Sequence, residues 1–136
     1  MASTETAPKP MRPRPLSPHL QVYRLTLTMV MSGLHRITGL CLFIGTLLLA
    51  WFLIAAASDA STFAYFSWFI ESFIGRLALF GFTWALFHHL LGGVRHFIWD
   101  AGKGLGDPER DQLALATIVG SIAINVIVWI IGYAVR

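Results

Sequence analysis

Charge is what this 136-residue chain has least of. Only 12% of its residues are Asp, Glu, Lys or Arg, while 56% are hydrophobic and the mean hydropathy is +0.66. A soluble domain carries roughly twice that share of charge. The scarcity is also patterned: no Lys, Arg, Asp, Glu or His falls between Arg36 and Asp59, or between Asp111 and Arg136. Each gap exceeds the ~20 residues an α-helix needs to cross the hydrocarbon core. A third apolar run, 77–99, is interrupted by one polar cluster. These gaps exclude a separate soluble domain. They predict an all-α membrane protein with three transmembrane helices, over about 25–57, 74–99 and 108–134. Residues 1–24 form an N-terminal arm and interfacial segment, and 25–136 form the anchor.

Other absences narrow the reading. The lone cysteine, Cys41, lies inside the first span and excludes an intrachain disulfide. It reads as a packing residue. Five of the six prolines fall within residues 1–18, and no apolar stretch stands near the start as a cleavable signal peptide requires. Glu5 and the prolines also fit poorly with an amphipathic mitochondrial presequence, so the segment reads as a short, extended, cytoplasmic arm. The pI of 9.5 comes with a net charge of only +3. No basic cluster is interleaved with aromatics on a soluble surface, so nucleic acid is not an expected partner. Topology accounts for the basic residues instead. Lys9, Arg12, Arg14 and Arg24 precede the first span, Lys103 and Arg110 lie in the second connection, and 58–73 has none. The positive-inside rule predicts a cytoplasmic N-terminus and a C-terminus on the other side.

Tyr23 and Arg24 suit the first membrane interface. The aromatic stretch TFAYFSWFIESF, 62–73, reads as an interfacial belt leading into the second span, with Glu71 and Arg76 near the water boundary. The glycines of AGKGLGDPERD, 101–111, resemble a phosphate loop superficially, but no βαβ unit surrounds them and they read as a turn. Asp107 and Pro108 read as the N-cap and first residue of the third span, with Trp129 and Tyr133 as its distal anchor.

Ionisable groups at membrane depth are costly and mark functional sites by default. His89 and His96, seven residues apart, share a helix face at roughly 10 Å separation, with Gly92 and Gly93 between them and Ala85 extending the small-residue stripe. In the first span Ser32, His35, Arg36 and Gly39 fall at i, i+3, i+4 and i+7. His35 lies eleven residues beyond Arg24, and His89 eleven residues short of Asp100. Both are therefore about 16 Å inside the shared boundary, and the antiparallel spans can bring them together. His88 points about 100° away and is given no role in this site. Three readings remain open on this chemistry: helix pairing alone, a proton or ion path, and a b-type haem. Imidazole suits iron, glycines admit a macrocycle, and arginine can pair with propionates. A proton path normally needs an intramembrane carboxylate, and none lies between Arg76 and Asp100. By geometry alone, His35 could be an intrachain second ligand.

RPLSPHLQVYR, 14–24, followed by MSGLHRITG, 31–39, and HLLGGVRHFIWDAGKGL, 89–105, resembles the cytochrome b556 subunits of succinate dehydrogenase, membrane anchors of respiratory complex II. The similarity runs from about Arg14 to the C-terminus through both motifs in order. It implies haem b shared with a sister anchor subunit, with His89 as the axial ligand from this chain. It also implies that His35, Arg36 and His96 line the propionate side, and that Ser32 and Arg36 contribute to a ubiquinone site. The implied partners are a flavoprotein, an iron–sulfur protein, the second anchor and membrane lipid. On this resemblance the chain does not itself oxidise succinate, has no catalytic residue of its own, and resides in the bacterial inner membrane, or alternatively the mitochondrial one.

Overall fold

A computed structural model describes Pro15 and residues 18–135. The expected extended arm lies outside the described residues except for Pro15 and Pro18. A 3₁₀ turn at His19–Val22 leads into four helices: α1 (Leu27–Ala57), α2 (Ala60–Glu71), α3 (Phe73–Asp100) and α4 (Asp107–Ala134). No strand occurs among the described residues. Helices α1, α3 and α4 are each long and apolar enough to cross a membrane, which agrees with the expected all-α, three-span architecture. At 1.5 Å per residue their 31, 28 and 28 residues reach about 42–46 Å. The ends therefore extend beyond a hydrocarbon core of roughly 30 Å.

The aromatic belt forms a helix of its own. Asp59 caps α2 by accepting the Thr62 amide at 2.8 Å. Ser72 then ends α2 and starts α3: its hydroxyl donates to the Phe69 carbonyl and accepts the Gly75 amide at 3.0 Å. The chain bends so sharply there that a Cβ on Gly75 would run into the Phe69 carbonyl.

The α3–α4 turn is equally specific. Gly102, at φ +71°, donates to Trp99 O at 2.8 Å, and Lys103 donates to Ile98 O at 3.1 Å. This is the Schellman closure, which needs a left-handed residue after the helix. Gly104 (φ +68°) continues the reversal, and its carbonyl accepts the Trp99 indole N–H at 3.1 Å. The expected cap of α4 shifts by one residue. Gly106 occupies the N-cap, while the Asp107 carboxylate pairs with Arg110 at 3.0 Å within the first turn. A carboxylate inside a first turn still complements the helix dipole.

Helix α3 packs against both α1 and α4, and α2 lies on α1 and α3 at the distal end. What is buried is unusual for a water-soluble protein. Beside Met31, Ala55, Phe66, Ala85 and Ala114, the interior holds Thr38, His88, Arg95, Thr117, Ser121 and Asn125. Large apolar side chains such as Phe43 and Leu47 are mostly exposed. Small and polar residues inside with aliphatic ones outside is the arrangement expected where lipid is the solvent.

Candidate functional site

The α1–α3 interface brings three histidines together. The His35 and His89 rings stack face to face, centroids 3.9 Å apart and planes 7° from parallel. His96 is 5.4 Å from His35 on the side of the helix end. Helix backbones approach closely enough for this stacking because each contributes a glycine opposite the other's histidine. A Cβ on Gly39 would come within 3.0 Å of His89 Cε1, and a Cβ on Gly92 would collide with the His35 ring. Gly92 thus accommodates a side chain of the same molecule. Gly93, by contrast, faces open space.

Hydrogen bonding defines the His89 ring. Its Nδ1 lies 3.1 Å from the His35 carbonyl. A carbonyl can only accept, so Nδ1 carries a proton, which leaves Nε2 as the nitrogen available to a metal. Thr38 joins the same carbonyl, donating its hydroxyl at 2.9 Å, and its oxygen is 3.4 Å from His89 Nδ1. Metal-binding histidines commonly have their second nitrogen anchored in this way. The donor set and the open glycine surface therefore fit an axial imidazole beside a broad, flat cofactor.

The other expected site residues divide. Ser32 and Arg36 lie on the exposed flank of α1 and form no hydrogen bond or ion pair with the histidines. The stripe read from 32, 35, 36 and 39 is split because successive helical residues are 100° apart. His35 and Gly39 turn to α3, and Ser32 and Arg36 turn outward. Intrachain pairing of His35 and His89 across an iron does not match their parallel, stacked rings.

Helix α4 receives the residues that the sequence reading passed over. His88 is fully buried against it, 3.4 Å from the Ser121 hydroxyl, with its ring 5.3 Å from Trp84. Arg95, one heptad along α3, is 3% exposed and stacks its guanidinium 5.0 Å over the Trp99 ring. It forms no ion pair among the described residues. Thr117, Ser121 and Asn125 supply the facing stripe at every fourth residue of α4. That spacing within an otherwise apolar helix was the available signal. A cavity of about 410 Å³ at the opposite end, bordered by Phe66, Arg76, Thr83 and Trp129, contains none of the histidines.

Three antiparallel spans carrying a histidine cluster near one boundary describe a class of intramembrane subunit, and sequence comparison gives the family. Residues 11–130 match the family described as the transmembrane subunit of succinate dehydrogenase/fumarate reductase, and the chain belongs to it. It is 44% identical over 120 residues to the succinate dehydrogenase cytochrome b556 subunit of Paracoccus denitrificans, covering 88% of this chain and 92% of that one. The b556 subunit of Rickettsia felis is 33% identical over 93% of this chain and 99% of its own. The mitochondrial cytochrome b560 subunit of Sus scrofa is 35% identical over 83% of this chain and 68% of its own. The chain is accordingly a membrane-anchor subunit of the succinate dehydrogenase cytochrome b family.

Proposed function

We propose that this subunit binds haem b jointly with a sister anchor and contributes to the ubiquinone-reducing site of a succinate:ubiquinone oxidoreductase. The His89 Nδ1–H donated to the His35 carbonyl carries the reading, because it leaves Nε2 as an oriented donor. The relatives' name, cytochrome b556, supports the same cofactor. His89 is the axial ligand from this chain, and the second comes from the sister subunit. His35, Arg36 and His96 line the propionate side.

Bound haem supplies a one-electron store close to the quinone. The remaining chemistry belongs to side chains. Ser32 offers a hydroxyl to a quinone oxygen, and Arg36 holds a fixed positive charge where negative charge develops during reduction. Arginine keeps that charge in low-dielectric surroundings where lysine can lose its proton. Succinate oxidation belongs to the flavoprotein, whose electrons arrive through the iron–sulfur subunit on the cytoplasmic face. The complex resides in the bacterial inner membrane with the N-terminus of this chain in the cytoplasm, as the placement of Lys and Arg supports.

A reduced-minus-oxidised spectrum of the purified complex tests the assignment. A b-type α band is expected from the unaltered complex and from His88→Ala, and its loss is expected from His89→Ala. Equal loss in both variants sinks the choice of ligand. Absence of the band from the unaltered complex leaves a haem-free structural or proton-conducting subunit, a reading to which the polar α3–α4 seam lends its support.

A further inference from the structure

We infer that Thr38 is a positioning residue for the His89 imidazole, forming with the His35 carbonyl a two-acceptor cradle for Nδ1–H. The inference rests on the haem reading above. Thr38 is 1% exposed, on the α1 face that meets α3. A threonine hydroxyl has one proton and two lone pairs. Here the proton is committed to the His35 carbonyl at 2.9 Å, which turns a lone pair toward Nδ1–H at 3.4 Å. The carbonyl itself takes the shorter arm, 3.1 Å. Two acceptors from one helical turn restrict rotation about the imidazole's long axis more than one does. They also set the direction of Nε2.

The same device occurs elsewhere in the molecule. Thr83 donates to its own Phe80 carbonyl at 2.9 Å and accepts the Trp129 indole N–H of the neighbouring helix at 2.9 Å. Thr46 and Thr117 make the back-bond to their own helix but no side-chain hydrogen bond to a neighbouring helix among the described residues. A hydroxyl back-bond contributes little to a helix by itself. The cross-helix acceptance is what sets Thr38 and Thr83 apart from these two. Gly39 completes the arrangement, since its missing Cβ lets the His89 ring descend to the level of Thr38.

Removing the hydroxyl loosens the ring and weakens the hydrogen bonding that keeps the ligand basic, so the reduced iron is favoured. In the whole purified complex, Thr38→Val is expected to give up haem to an apo-globin scavenger with about tenfold weaker retention. Its midpoint potential is expected to rise and its low-spin EPR signal to broaden. Thr38→Ser, which keeps the hydroxyl, is expected to match the unaltered complex in all three. If Thr38→Val does not assemble, Thr38→Ala against Thr38→Ser makes the same comparison. Unchanged retention and potential in the hydroxyl-free variant overturn the inference. So does a serine variant that behaves like valine, because the methyl and not the hydroxyl then matters. An unaltered complex with no b-type spectrum overturns the haem reading itself.

Discussion

Gly39 and Gly92 each make room for a histidine of the opposite helix, and substitution tests that role. Gly92→Ala places a methyl against the His35 ring and is expected to part α1 from α3. The loss appears as reduced yield of assembled complex, with the b-type spectrum diminished in proportion. A variant that assembles normally shows that the His35 ring can move aside. Arg36 makes a different demand. It is exposed and pairs with no acid among the described residues, so its removal spares the fold. Arg36→Ala is expected to lower quinone reduction at least tenfold, of the order found when one stabilising group is removed, while electron transfer from succinate to a soluble artificial acceptor persists. Parallel loss of both activities assigns Arg36 to assembly.

At the scale of helices, two spans were legible because their charge-free gaps are longer than a membrane is thick, and the third as an apolar run interrupted by one polar cluster. The independence of α2 was not. Its aromatic residues continue the hydrophobic run into α3, and the break depends on Ser72 bonding in both directions. Heptad spacing made the shared face of His89 and His96 readable, and matched depth brought His35 to them. Thr38 and Arg95 escaped because a residue 100° around a helix is interior only if another helix lies there. That placement is a tertiary fact. One element carries a pH signature. Hydrogen bonds from Ser61 and then the Thr62 amide hold the Asp59 carboxyl down at about 2, below its ordinary 3.8. The cap is therefore complete above 3.8 and is lost as pH falls through about 2. Hydrogen exchange at the Thr62 amide should stay slow between those values. Protection that disappears nearer 4 contradicts the capped state.

The molecule as a whole is organised for lipid, with aliphatic and aromatic side chains covering its sides and polar ones joining its helices. Its orientation is open to direct measurement. With Cys41 replaced, a single cysteine at Lys103 is expected to react with a membrane-impermeant thiol reagent only from the cytoplasmic side. A cysteine at Ser61 is expected to react only from the opposite side. The reverse pattern inverts the proposed topology. The two glycine–histidine contacts between α1 and α3 have a further consequence, historical in kind. Each helix is both host and guest: Gly39 receives His89, and Gly92 receives His35. A lineage that enlarges one glycine must shrink or redirect the opposing ring in company with it, or pass through a poorly paired intermediate. Changes at 39 and 89, and at 35 and 92, should therefore arrive as couples, and the site should be slower to drift than either helix surface around it.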